Sequence, residues 1–495
     1  MSTSTTYKTE EPAEQASSEM ESSSRQLVRS EGPKRKKKTE FDEERKRPIY
    51  PWSDSFKDWF KHGILKNYTD EQVESKLLSH LPFYPVSDGK RVAKIIDTKL
   101  DDGNYIHEFC IENIECDNSD SNEGNEEGVL SKIGLGKSLT PPEVTDVVLV
   151  HGYAASLGLF IDNFDSLSSI PGVKIHAIDL LGFGFSSRPK FPKFPNNTKE
   201  DIYKVEDWFI DSMEEWRIKR NINRFILIGH SFGGYLSCAY AMKYNRKLID
   251  ASSKAQNLID KMILVSPVGV ERSKYSLIKN DTDLETRLEN QSESQVPLTR
   301  ELTADQESIV QGTDTQPEVE NDDENTRGRK FLYHLWRHHY SPFGIVRNIG
   351  PVRSKFISRW TTHRFAHVYY QNPEHFFNVH NYIYRIFNGP GSGEYAITRV
   401  LDVGAMARLP LIDRVPQKVV DMKLPTLWLY GDKDWMNDEA GQEITAEINQ
   451  LAKKTSPPIN SLAQFGYITN AGHHLYLDNP PDFAKVVFKF LGFKK

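Results

Sequence analysis

Short apolar runs rich in branched side chains recur along this chain, separated by stretches whose apolar positions fall at helical spacing. Asp146 to Val150, Val173 to Leu180, Phe225 to Gly229, Lys261 to Ser266, Leu424 to Tyr430 and Gln464 to Thr469 each predict a buried strand. Residues 91–98 and 104–111 predict two further strands around the turn Asp101-Asp102-Gly103. Between them, Glu206 to Arg217 carries Trp208, Phe209, Met213 and Trp216 on helical spacing. Tyr235 to Tyr244 reads as a helix, and so does Pro481 to Leu491, with Phe483, Val486, Val487, Phe488 and Phe490 partly on one side. Strands that alternate with helices imply an α/β chain with a mostly parallel, doubly wound sheet covered on both faces.

Two segments break the alternation. Residues 1–48 are Ser, Thr, Glu and Lys with almost nothing to bury, and read as a disordered tail. Residues 271–328 are rich in Glu, Asp, Gln, Ser and Thr, and read as an acidic, flexible insertion. The polar stretch Asp117 to Glu127 reads as a loop. The core is thus expected in two parts, 49–270 and 421–495. Residues 329–420 lie between them as a helical lid, aromatic and basic at the start: Trp336, Tyr340, Phe343, Phe356, Trp360, Phe365, Tyr369, Tyr370, Phe376 and Phe377, with Arg329, Lys330, Arg337, Arg347, Arg353, Lys355, Arg359 and Arg364. Aromatics interleaved with Arg suit nucleic acid, or an acyl-chain pocket whose mouth attracts phosphate; in this setting the lipid reading is favoured. Trp52, Phe56, Trp59 and Phe60 recur at helical spacing beside Lys57, Lys61 and His62, a face that packs on the domain or rests on a lipid surface. The run Lys34-Arg35-Lys36-Lys37-Lys38 reads as a solvated tail, with an anionic-membrane contact or a nuclear address as the sharper alternatives.

Composition narrows the picture. Of the 495 residues, 38% are hydrophobic, low for a compact enzyme and in keeping with long solvated segments. The net charge of −6 gives no global basic character for nucleic acid. Cys110, Cys116 and Cys238 are too few and too oddly placed for a disulfide framework or a zinc site, and fit a reducing compartment. No apolar run reaches the roughly 18 residues of a membrane span. With Glu10, Glu11 and Glu14 the start of the chain is expected to be neither a signal peptide nor a typical transit sequence.

The candidate chemistry centres on Phe225-Ile226-Leu227-Ile228-Gly229-His230-Ser231-Phe232-Gly233-Gly234. A strand that ends in Gly-x-Ser-x-Gly and runs into a helix is the context of a nucleophile elbow. A serine hydroxyl is a poor nucleophile at neutral pH. It needs a base to take its proton and a carboxylate to hold that base in the right tautomer. In this topology the order is Ser, acid, His, and the sequence supplies Asp434 in Gly-Asp-Lys-Asp-Trp and His473 in Ala-Gly-His-His. Asp432 and His474 compete for those roles, with Asp434 and His473 preferred. An oxyanion needs two N–H donors, expected from Phe232 and from Tyr153 in the loop after His151-Gly152. His473 and Asp478 also form His-x-x-x-x-Asp, a spacing used by glycerolipid acyltransferases; the pair is close enough along the chain to hydrogen-bond, although Asp478 equally suits the start of the last helix.

His-Gly-Tyr-Ala-Ala, Leu-Gly-Phe-Gly-x-Ser-Ser-Arg-Pro (Leu181 to Pro189), Gly-His-Ser-Phe-Gly-Gly-Tyr, Ser-Pro-Val-Gly-Val (Ser266 to Val270), Tyr-Gly-Asp-x-Asp-Trp-Met and Gly-His-x-Leu-x-Leu-Asp-Asn-Pro together resemble the abhydrolase-domain lipid-enzyme branch of the α/β hydrolases. Its fungal members include a mitochondrial cardiolipin-specific deacylase and a soluble lysophosphatidic acid acyltransferase. The likeness spans about residues 140–270 and 329–493. It implies Ser231 as nucleophile, Asp434 as acid, His473 as base, and the His473/Asp478 signature. Ser-Ser-Arg-Pro followed by Lys190-Phe191-Pro192 is closer to the deacylase. The resemblance thus implies a serine hydrolase that deacylates a glycerophospholipid, without metal or cofactor. The alternatives are an acyltransferase with acyl-CoA as co-substrate and, from another class, a non-catalytic lipid-surface scaffold. Peripheral contact with an anionic membrane goes with all three. A mitochondrial location is expected by resemblance alone, since the acidic start departs from a presequence; the cytoplasm or a lipid-droplet surface are the alternatives.

Overall fold

The computed structural model describes residues 52–64, 68–114, 144–249, 255–278, 334, 336–348, 350, 353–402 and 405–493. The expected tail, the basic run at 34–38, the polar loop at 117–127 and the insertion from residue 279 onwards lie outside these.

The described chain begins with α1 (Trp52–Asp58), a π-turn (Trp59–Ile64) and α2 (Asp70–Leu78). It continues through β1 (Arg91–Lys99), β2 (Tyr105–Asn113), β3 (Thr145–Val150), α3 (Ile161–Leu167), β4 (Val173–Ile178), α4 (Lys199–Lys219), β5 (Phe225–His230), α5 (Phe232–Tyr244) and β6 (Ile259–Val265). Next come the lid helices α6 (Pro342–Asn348), α7 (Arg353–Gln371) and α8 (Pro373–Asn388). Then α9 (Val415–Met422), β7 (Thr426–Gly431), α10 (Asp438–Lys453), β8 (Ala463–Ile468), the single turn α11 (Leu475–Asp478) and α12 (Pro480–Leu491) close the fold.

The eight strands form one sheet in the order β1-β2-β4-β3-β5-β6-β7-β8. The six from β4 to β8 run parallel, while β1/β2 and β2/β4 pair antiparallel at one edge. The central strands alternate between two cores. Val148, Leu227, Leu264 and Trp428 face one, with Phe209, Trp216 and Tyr235 from α4 and α5. Val147, Ile228, Val265 and Leu429 face the other, with Phe164, Tyr382 and Phe488. Burial on both faces explains why these strands read as unbroken apolar runs.

Two helices start earlier than their apolar pattern predicts. In α4, Thr198 caps the N-terminus in a reciprocal box with Asp201, so a polar first turn precedes the aromatic face. In α5 the helix begins at Phe232, through Gly233 and Gly234. A Cβ on Gly233 would collide with the His151 carbonyl and lie 2.6 Å from that of Val150. These glycines answer to packing, not to turn propensity. At the other boundary, residues 271–278 are not loose: Glu271 and Ser273 are buried and Arg272 pairs with Asp413 at 2.6 Å.

The lid is part of both cores rather than a cover standing off them: Ile397, Val400 and Leu409 lie in the first, and the helices before them in the second. Val379, Tyr382 and Ile383 of α8 are buried there, and α8 packs on α2 and α7. Arg188 straps it down, donating to Gly184 O and Ile386 O, both at 2.9 Å, and to Pro390 O at 3.1 Å. The aromatic N-terminal helix packs on α7, through Ser354 Oγ to Asp58 Oδ2 at 3.0 Å, while Phe56 and Phe60 stay exposed. Among the described residues no helix is long and apolar enough to cross a membrane.

Candidate active site

The elbow is built as the pattern requires. Ser231 follows the last residue of β5 with φ 51° and ψ −116°, and α5 starts at the next residue. A non-glycine residue held there costs about 1–3 kcal/mol and persists only where surroundings enforce it. The enforcing contacts are Ser231 N to Val265 O at 2.9 Å and Tyr235 N to Ser231 O at 3.1 Å. Deeper down, Glu206 of α4 accepts Tyr235 OH at 2.6 Å and both Arg414 terminal nitrogens at 2.8 and 2.9 Å, which ties α4, α5 and α9 together beneath the serine.

The structure brings Ser231, His473 and Asp434 together from three strand ends. His473 Nε2 lies 3.0 Å from Ser231 Oγ, and His473 Nδ1 lies 3.3 Å from Asp434 Oδ1. Asp434 is buried, which by itself would raise its carboxyl. The charge and hydrogen bond of His473, the Ser266 hydroxyl and the Met436 N–H outweigh that and hold it below the usual range. Asp432, its competitor, instead accepts the Ala471 N–H at 2.9 Å and braces the histidine loop from below.

Ser266, which the sequence offered only as part of a motif, enters this cluster. Its hydroxyl lies 2.6 Å from Asp434 Oδ2 and 2.8 Å from His473 Nδ1. The available signal was its position: it follows the strand beside the elbow strand, one residue beyond the pairing of His230 with Val265.

His474 does not take the contact to the serine, which His473 makes. It is buried beside His230 (ring centroids 5.0 Å) and Trp360 (6.4 Å). Burial, then the charges of Arg364, His230 and His473, push its pKa far below the ordinary histidine value. His230 is depressed in the same way, by burial first and then by His473. Its Nε2 donates to His473 O at 3.0 Å, so a neutral imidazole positions the base's backbone.

The expected His473–Asp478 hydrogen bond does not form. Asp478 ends α11 with its carboxylate turned back onto the Gly472 N–H at 2.8 Å, while both ring nitrogens of His473 are engaged elsewhere. The loop after β3 stands where an oxyanion donor is needed. A Cβ on Gly152 would lie 3.0 Å from Ser231 Cβ and 2.8 Å from His230 Nδ1, so the backbone entering Tyr153 runs against the nucleophile. His151 pins that loop: its Nε2 accepts Leu180 N–H at 3.1 Å and its Nδ1 donates to Gly152 O at 2.7 Å. The Phe232 N–H, at the first turn of α5, has no intrahelical acceptor.

An apolar roof covers these groups. Tyr153 meets Phe343 at 5.8 Å, Phe343 meets Phe387 at 5.0 Å, Phe387 meets Trp360 at 5.4 Å, and Trp360 reaches His474. Elsewhere Glu108, Cys110 and His176 place potential metal-ligand atoms within 4.8 Å of one another. Arg220 bonds Glu108 at 2.8 Å, and His176 bridges Glu108 and Asp146 at 2.7 and 2.9 Å, so cationic side chains already balance these carboxylates.

Comparison with known proteins agrees with this geometry. The family model described as alpha/beta hydrolase fold matches residues 146–480. A probable 1-acylglycerol-3-phosphate O-acyltransferase of Oryza sativa is 31% identical over 69% of this chain and 66% of its own length. The 1-acylglycerol-3-phosphate O-acyltransferase of Arabidopsis thaliana is 31% identical over 69% of this chain and 65% of its own length. A human (Lyso)-N-acylphosphatidylethanolamine lipase is 28% identical over 69% of this chain and 78% of its own length. The match thus spans just under two thirds of the length of the two plant relatives.

Proposed function

The chain belongs to the α/β-hydrolase family, and on that premise we propose that it is a serine-dependent enzyme that deacylates a glycerophospholipid through an acyl-Ser231 intermediate. The observation that carries this reading is the 3.0 Å contact between Ser231 Oγ and His473 Nε2, backed by Asp434. His473 takes the Ser231 proton as the oxygen attacks the ester carbonyl. The N–H groups of Tyr153 and Phe232 hold the oxyanion, and the positive end of α5 adds to that field. The C–O bond to the glycerol breaks, and the lysolipid leaves with the proton from His473. Water, activated by the same imidazole, then releases the fatty acid. The aromatic roof supplies an apolar wall for an acyl chain, and a peripheral contact with an anionic membrane fits the exposed Phe56 and Phe60 beside Lys57 and Lys61. No step calls for a metal or redox group.

A second reading has a specific support, the acyltransferase names of the two plant relatives. In chemical terms it needs a different donor and a different acceptor: Ser231 takes its acyl group from acyl-CoA, with CoA leaving, and passes it to a lysophosphatidic acid hydroxyl instead of water. Cardiolipin as substrate and a mitochondrial location are proposals that rest on the resemblance of Ser186-Ser187-Arg188-Pro189 and its neighbours to the fungal deacylase.

The test is to incubate the purified chain and Ser231→Ala with cardiolipin, with lyso-N-acylphosphatidylethanolamine, and with lysophosphatidic acid plus acyl-CoA. Fatty acid release that depends on Ser231 supports the hydrolase. Release that survives Ser231→Ala refutes it, and Ser231-dependent transfer without release favours the second reading. Cell fractionation checks the location.

A further inference from the structure

We propose that Ser266 is a positioning residue of the catalytic relay: it carries the hydrogen bond between His473 Nδ1 and Asp434 and thereby fixes the imidazole tautomer that Ser231 needs. This rests on the serine-hydrolase reading and extends it.

The distances carry the argument. The direct separation of His473 Nδ1 and Asp434 Oδ1 is 3.3 Å. A charge-assisted N–H···O bond is normally about 2.7–2.9 Å, so this contact alone is a weak restraint. Ser266 Oγ closes the gap, at 2.6 Å from Asp434 Oδ2 and 2.8 Å from His473 Nδ1. The direction of each bond follows from the inventory of donors. An ionised carboxylate only accepts, so the single Ser266 proton goes to Asp434. The lone pairs that remain on Oγ face His473 Nδ1, which must therefore carry its hydrogen. Nε2 is left unprotonated toward Ser231 Oγ, the state required of the base.

The backbone is built to hold this hydroxyl in place. Ser266 is fully buried, its N–H donates to Leu429 O at 2.7 Å, and its φ is 45°. A left-handed serine directly before Pro267 is a costly conformation, of the kind kept where geometry matters. The depressed carboxyl of Asp434, to which the Ser266 hydroxyl contributes, is in keeping with a carboxylate that stays charged behind the relay.

The experiment measures the reactivity of Ser231 without assuming any lipid. Wild type, Ser266→Ala, Asp434→Asn and the double variant are compared by the rate of fluorophosphonate labelling at Ser231 and by hydrolysis of a short p-nitrophenyl ester. Ser266→Ala is expected to slow both by about 10- to 100-fold, the equivalent of one hydrogen bond to a charged group. KM should stay unchanged. In the Asp434→Asn background the same substitution should cost no more than about twofold, because the two residues act through one imidazole. Ser266→Gly, which accepts the positive φ, should reproduce the loss with an unchanged melting temperature. Labelling of Ser266→Ala and Ser266→Gly at the wild-type rate overturns the proposal alone, and so does a loss that multiplies in full with that of Asp434→Asn. A wild-type chain that fails to label at Ser231 overturns the hydrolase reading, and the relay with it.

Discussion

Asp478 Oδ2 accepts the backbone N–H of Gly472 at 2.8 Å, one residue short of the imidazole that its sequence spacing suggested it would hold. Asp478 therefore shapes the loop that carries His473 and does not polarise the ring. Asp478→Asn should leave hydrolysis and any acyl transfer within about tenfold of wild type, at a stability cost of about 1 kcal/mol for the weakened bond. His473→Ala should abolish both. Parallel assays of the two variants with labelled lysolipid and lipid ester check this; loss of transfer alone in Asp478→Asn would return that residue to the chemistry.

Gly152 is where the oxyanion loop comes closest to the nucleophile. An alanine there would push on the His230 ring and on Ser231 Cβ, both part of a packed interior. Gly152→Ala should destabilise the fold by about 1–3 kcal/mol. The larger effect should be on rate, a loss of about 100-fold from displaced reacting groups. Thermal melts alongside ester hydrolysis separate the two.

His176 makes stability depend on alkaline pH. Burial by itself would lower its pKa, but hydrogen bonds to Asp146 and Glu108 prevail and raise it to about 10. A histidine raised in the folded state contributes stability that is fully present below its unfolded value of about 6.5 and is lost as pH rises through about 10. His176→Gln should therefore be destabilised relative to wild type at pH 6, with the difference shrinking between pH 7 and 10. Urea midpoints across that range are the measurement.

Arg188 joins the Gly184 loop to the end of α8 through carbonyls alone. Arg188→Met should leave the sheet intact and speed amide exchange in residues 386–391. Exchange followed by mass spectrometry would show faster uptake there and unchanged protection in β5.

Much of this architecture was legible in the chain because parallel strands buried on both faces must be apolar throughout. β5 and β7 announce themselves that way, each buried along its whole length. Helix starts were less legible. Thr198 and Asp201 stabilise a first turn that has no apolar signature, and Gly233 looks like a breaker although the neighbouring carbonyls demand it. At the site, chain order and local turns pointed to Ser231, Asp434 and His473, which do meet. Ser266 was hidden because its role depends on β6 lying beside β7, a neighbourhood no local pattern encodes. The aromatics of the lid gave their composition but not their partners, since the packing of α8 on α2 joins residues about three hundred positions apart.

His230 and His474 pack against His473 and against each other as imidazoles sealed away from water, and both resist protonation. The unfolded chain, in contrast, takes up protons at these positions below about pH 6.5. Acid thus pulls the equilibrium toward the open chain, and a drop in pH should silence this protein by loosening its centre.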